Sequence, residues 1–119
     1  FTKEEVLSVL EFIFRSLKTG GALVVKTPNA ESPLSGRLRY GDFTHDTSFT
    51  ESSLKQVLLV SGFRNVSVCP MRPAVHGVKS FVRRMLWHYL ELGMKLYRFI
   101  EAGSPAGIFT QNIIAVGRK

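Results

Sequence analysis

The sequence predicts an α/β fold, and three observations carry the prediction. An apolar helical period over residues 2 to 18 ends at Gly20-Gly21 and leads directly into the β-rich run "ALVVKT" at 22 to 27. A second helical period, roughly 51 to 61, closes at Gly62 before the alternating run "RNVSVCP" at 64 to 70. A third strand is expected near the end, about 109 to 117, within "FTQNIIAVGRK". Helix leading into strand, twice over, is the unit from which layered α/β folds are built.

Each element has a local cause. Thr2-x-x-Glu5 has the form of a capping box, in which hydroxyl and carboxylate satisfy the first orphan amides of a helix. Val6, Leu10, Ile13 and Leu17 recur at helical spacing, and Leu7 and Phe14 widen that face. The two glycines accept the left-handed conformation that ends a helix, and Pro28-Asn29 stops the strand that follows. From Ala30 to Ser48 no firm period exists; Pro33 and Gly36 argue for loop, with a helical turn near 35 to 39. Ser48 or Thr50 caps the second helix, whose inner face is Leu54, Val57 and Leu58. In the next strand Val66 and Val68 alternate, and Cys69 reads as an inert buried thiol. The longest helix is expected over 77 to 101, with Val78, Val82, Met85, Tyr89, Leu92, Leu96 and Phe99 forming one stripe packed on the core. Gly93 lies mid-helix, where it marks close packing or a kink.

Length and composition bound the function. The 119 residues make one domain's worth, and 45% hydrophobic with 21% charged residues excludes a disordered chain. No run of about eighteen apolar residues exists, so a membrane-spanning helix is not expected. "FTKEEVLSVL" carries glutamates where a signal peptide needs lysines and a greasy core, and it lacks an initiator Met, so the chain reads as a piece beginning mid-protein. The single cysteine precludes an internal disulfide and fits a cytoplasmic setting. A net charge of +7 and a pI near 10.0 point to an acidic partner, or to an acidic remainder of the protein.

At "LKTGGALVVKTPN" the sequence resembles the second half of a class I S-adenosylmethionine-dependent methyltransferase. In that family a helix ends in a Gly-Gly turn and enters the fifth strand, commonly followed by a polar tripeptide like Thr27-Pro28-Asn29. "HDTSFTESSLKQVLLVSGFRNVSV" is similar to the family's pattern of His, Phe-Thr, Ser-Leu and Gly-Phe before the sixth strand. The resemblance covers residues 1 to 69, and 109 to 117 resembles the last strand. It implies a Rossmann-like methyltransferase sheet represented by its C-terminal half: about three strands, flanking helices, and a long basic helix inserted at 71 to 107 between the last two strands. Residues 1 to 119 then form a single partial domain. No G-x-G turn occurs in the chain, so S-adenosylmethionine is expected to be held mainly by an N-terminal half, and cofactor-binding residues are not assigned.

Methyl transfer from a sulfonium is a displacement, so the acceptor side requires alignment and, for a hydroxyl, a base. Ligands in open α/β sheets bind beyond the carboxyl ends of the strands. That rule selects Thr27, Pro28 and Asn29 as substrate contacts, with Arg37, Arg39 and Tyr40 to clamp a carboxylate, phosphate or sugar hydroxyls. His45 is the base candidate because its ordinary pKa is near neutrality, and Asp42 or Asp46 orients its ring. Asp42-x-x-His45-Asp46 matches no metal motif, and no metal is expected. Phe43 and Phe49 read as anchors, Thr50 as a cap, and His76 and His88 receive no role.

The expected function is methyl transfer to oxygen or nitrogen of a small molecule or glycan. The glycan preference comes from the resemblance alone, through "DFTHDTSFT", and the fragment by itself is expected to be inactive. The alternative is a non-catalytic binding or oligomerisation module, or a peripheral membrane-associated domain using the basic helix. Partners are therefore the acceptor, a second copy through the sheet edge or the long helix, and a membrane surface touched through Trp87, Tyr97 and the cations. No nucleic-acid motif accompanies the charge, and nucleic acid is not expected.

Overall fold

Thr2 opens helix α1 (Lys3–Ser16) with the expected capping box: its hydroxyl accepts from the Glu5 amide at 3.3 Å, and Glu5 Oε2 accepts from the Thr2 amide at 2.8 Å. The computed structural model that shows this describes residues 2–41 and 47–119, with the backbone alone at Leu38. The last carbonyls of a helix lack partners of their own. Here Lys119 supplies one, donating to the carbonyls of Arg15 and Leu17 at 3.2 and 2.7 Å while its ammonium lies 4.9 Å from the Phe14 ring centre. Gly20, at φ +81°, turns the chain into β1 (Ala22–Pro28). Then follow α2 (Ser35–Tyr40), α3 (Glu51–Val60), β2 (Arg64–Pro70), α4 (Val78–Ala102) and β3 (Asn112–Arg118). Thr50 caps α3 through a capping box with Ser53. Strand β3 begins three residues later than the sequence suggests, because buried Phe109 and Thr110 sit in irregular chain before it.

The sheet has the order β1-β3-β2, and β3 runs antiparallel to both neighbours, so β1 and β2 are parallel to each other. Successive residues of a strand face opposite sides, which puts Leu23, Val25 and Thr27 on the same face as their partners Gly117, Ala115 and Ile113. Helices α1 and α3 cover that face. Leu10, Leu54, Leu58, Phe63, Val66, Ile113 and Ala115 form the buried centre, and Phe14 meets Phe63 edge to face at 5.1 Å. Gly117 allows a close approach there, since a Cβ would stand 3.0 Å from Cβ of Phe63 and press on that side chain.

The opposite face has no layer over it among the described residues. Val24 is 64% exposed, and Cys69, opposite Ile114, is exposed as well. The expected buried thiol is thus corrected: with Val66 and Val68 facing the helices, the two-residue period sends Cys69 outward. The two sheet edges also differ. Strand β2 carries a register irregularity at Asn65, which adopts φ 48°, and such bulges discourage further pairing. Strand β1 pairs evenly over its whole length and bears one charge, Lys26; among the described residues nothing pairs with its outer edge, which can accept another strand.

Helix α4 overturns one expectation. The stripe from Val78 to Phe99 was to pack on the core; instead Val78, Tyr89 and Leu96 are 81%, 65% and 60% exposed. The inward side is built from Ser80, Trp87, Glu91, Met94 and Arg98. Glu91 is the buried residue of the helix, held by Arg72 at 3.3 Å and Lys95 at 3.6 Å. Trp87, expected at the outer surface, is half-buried, and its indole N–H is enclosed without an acceptor among the described residues. The stripe is real; its partner is not this sheet. Gly77, at φ 131°, starts the helix, and Gly103 ends it in the left-handed conformation, its amide donating to the Phe99 carbonyl.

Gly93 lies on the exposed stripe, and a Cβ there would meet nothing within 4 Å. Neither close packing nor a steric need explains it. Gly93→Ala is therefore expected to stabilise the chain by about 1 kcal/mol, the intrinsic helix-propensity difference. Urea denaturation followed by circular dichroism measures this, and a lowered midpoint would contradict it.

Candidate functional site

Strand β1 ends at Pro28 opposite Asn112, and β2 ends at Pro70 opposite Ile113, so both carboxyl ends and the start of β3 share one end of the sheet. Thr27 is half-buried on the helix-covered face, and Pro28 is half-buried beside it. Asn29, next in the chain, is 1% exposed. Its Nδ2 donates to the carbonyls of Ile108 at 2.6 Å and Thr110 at 2.9 Å, and its Oδ1 accepts from the Glu31 amide at 3.0 Å. Two carbonyls on one side and an N–H on the other fix the orientation of the carboxamide. Both its hydrogens are spent on the chain itself, which makes Asn29 a residue that positions the loop.

The same loop is pinned to the segment ahead of α3. Asn29 forms a parallel bridge with Phe49, and the Ala30 amide donates to the Phe49 carbonyl at 2.8 Å. Phe49 packs against the core, as an anchor should. Beyond this bridge a cavity of about 190 Å³ is lined by Ala30, Ser35, Gly36, Arg39, Tyr40 and Ser48. Two of the predicted substrate contacts, Arg39 and Tyr40, are in its wall. The Arg39 guanidinium lies 5.6 Å from the Tyr40 ring centre, and Tyr40 is otherwise 80% exposed. Arg37, exposed on the same short helix, is not among the wall residues.

The predicted catalytic residues Asp42, His45 and Asp46 lie outside the described residues, as does Phe43. What is described is the chain on either side of them: Tyr40 before and Ser48 after both line the cavity. Among the described residues no group of three His, Cys, Asp or Glu side chains is placed to hold a metal ion.

Three participants, Arg98, Ser35 and Ser48, carry no local signal of their place at the site in the sequence. Arg98 of α4 donates to Glu31 Oε1 at 3.1 Å, fastening the long helix to the loop after β1. Ser35 and Ser48 supply hydroxyls to the cavity wall. The Arg98–Glu31 pair spans 67 positions, a distance over which no periodicity speaks. Because α4 leaves the sheet after β2 and returns before β3, it is attached at the same end of the sheet as the cavity.

No family model matches the chain, and no curated protein matches it in sequence. A solved structure does: a SAM dependent methyltransferase from Archaeoglobus fulgidus superposes over 100% of this chain with a TM-score of 0.63 at 21% sequence identity. The chain spans 54% of that protein's length. The chain therefore shares its fold with part of that structure: mixed α/β, with three antiparallel-paired strands, flanking helices, and a long helix between the second and third strands.

Proposed function

We propose that this chain forms the acceptor-side half of an S-adenosylmethionine-dependent methyltransferase acting on oxygen or nitrogen of a small molecule or glycan. The observation that carries the reading is the cavity beyond the carboxyl end of β1, whose wall both precedes and follows the segment bearing His45. Its position obeys the ligand rule for open α/β sheets, and the likeness to a methyltransferase fold gives that position a chemistry by analogy.

S-adenosylmethionine, when bound, supplies an electrophilic methyl group. The described residues do not form its cradle. The cavity of about 190 Å³ at the strand ends is below the roughly 300–1,000 Å³ typical of ligand pockets. The cavity of about 520 Å³ against α1 and α3 is lined largely by Val6, Leu7, Phe49, Val57 and Val60 and has no glycine-rich turn. Asn29 has no free amide hydrogen to offer. No step on this chain is assigned to the cofactor. The evenly paired β1, its outer edge unpaired among the described residues, fits further strands of the sheet, and the residues that hold the cofactor would belong to those strands.

What this chain contributes is the acceptor side. Arg39, Tyr40, Ser35 and Ser48 offer hydrogen-bond donors to an acceptor's hydroxyls or carboxylate. His45 takes the acceptor's proton as the new bond forms, and Asp42 or Asp46 orients the imidazole. Asn29 and Phe49 hold both ends of this wall rigid, which matters because alignment supplies much of the rate in a displacement.

Isothermal titration tests the division of labour. The 119-residue chain is expected to show no saturable binding of S-adenosylmethionine, whereas the product of its complete open reading frame binds it and transfers a labelled methyl group. A reading frame with no strand and glycine-rich turn upstream would refute the proposal.

A further inference from the structure

Helix α4 presents a wide apolar surface to solvent and borders it with cations. With about 100° between residues, the outward arc from Phe81 and Phe99 on one side to Leu86 on the other is centred on Val82, Tyr89 and Leu96. It contains no charged residue. Val78 and Ile100, near its two ends, are 81% and 75% exposed, so the surface is open along the full 25 residues. Lys79 and Arg83 flank one border; Arg84 and Lys95 flank the other. The helix carries five Lys or Arg against Glu91 and Glu101, and Glu91 is buried within the inward face.

We propose that α4 lies in the plane of an anionic phospholipid surface, its outward arc among the acyl chains and its bordering cations at the phosphates. A wide apolar face bordered by Lys and Arg, on a helix of low mean hydropathy, is the pattern of in-plane helices. Among the described residues no helix is long and apolar enough to cross a membrane. Charge decides between lipid and a second copy of this chain. Two such arcs laid face to face in parallel bring Lys79 and Arg83 against Arg84 and Lys95 of the other copy. Laid antiparallel they bring Arg84 against Lys95 on one border, and Lys79 near Glu101 is the one opposite-charge contact. Headgroup phosphates instead complement both borders at once. The placement also has a consequence for the site, because Arg98 ties this helix to Glu31 in the loop that shapes the cavity. The proposal does not depend on the methyl-transfer reading.

Vesicle flotation tests it, with the chain mixed separately with pure phosphatidylglycerol and pure phosphatidylcholine vesicles. The expected result is flotation with phosphatidylglycerol, reversed by high salt, and little or none with phosphatidylcholine. Lys79→Gln with Arg83→Gln should lower the partition coefficient roughly thirtyfold, at about fivefold per cation. Tyr89→Asp with Leu96→Asp should abolish flotation; both side chains are solvent-exposed, and an unchanged circular dichroism spectrum will confirm folding. Absence of flotation by the folded wild type would overturn the proposal. So would a dimer in solution that Leu96→Asp dissolves without vesicles, which would assign the arc to a second copy.

Discussion

On the proposed acceptor-side reading, replacing His45 by alanine in the full-length protein is expected to lower methyl-transfer turnover about 10²–10⁴-fold, the usual contribution of a general base. Affinity for S-adenosylmethionine should stay nearly unchanged, because the proposed role puts the residue on the acceptor side. The expectation follows from chain continuity: Tyr40 and Ser48 line one cavity, and His45 lies on the short run between them. A histidine is the side chain whose ordinary titration falls near neutral pH. The wild-type turnover should therefore decline as acid protonates the base, and the His45→Ala enzyme should lack that limb. Asp42→Asn and Asp46→Asn separate the orienting carboxylate from the bystander, since only the former should reproduce part of the loss. Steady-state kinetics with labelled cofactor, alongside calorimetric binding, measures both quantities. Wild-type turnover by the alanine variant would remove His45 from the mechanism.

How far the sequence could be read depended on how local each cause was. The cap of α1 was legible because Thr2 and Glu5 are separated by one helical turn; at α3 the sequence offered Ser48 or Thr50, and the box with Ser53 selects Thr50. The glycines at 20 and 62 announced their turns through the left-handed conformation both adopt. Helix α4 was legible as an element and not as a packing partner. A period of 3.6 identifies an apolar face without saying what that face meets. The side that packs on the protein is instead held by Trp87, Met94 and the buried Glu91 between Arg72 and Lys95. The role of Asn29 was hidden for the same reason. Pro28-Asn29 reads as a strand stop, but the carbonyls that consume its amide hydrogens belong to residues 79 and 81 positions away.

That distant anchoring sets the second large effect. Asn29→Ala removes two donors from the carbonyls of Ile108 and Thr110 and one acceptor from the Glu31 amide. A buried polar group deprived of its partner costs about 1–3 kcal/mol. Water can reach part of this network, because the Ile108 and Glu31 bonds are only part-buried. A total loss of about 2–5 kcal/mol is therefore expected. Asn29→Asp should be worse despite its nearly identical shape. Its carboxylate would keep the bond from the Glu31 amide but set negative oxygen against two carbonyl oxygens in a largely buried site. This ordering, Asp below Ala below Asn in stability, distinguishes a buried hydrogen-bond hub from a ligand contact. A substrate-binding Asn would lose affinity on substitution while keeping the stability of the fold. Denaturant titration of the three chains settles the ranking, and equal midpoints would return Asn29 to the acceptor side of the cavity. If the ranking holds, the loop bearing Glu31 should loosen with it, freeing Arg98 of α4 from its carboxylate. The cavity wall and the long helix then share one anchor, so a substitution at position 29 should disturb acceptor binding and the seating of α4 together.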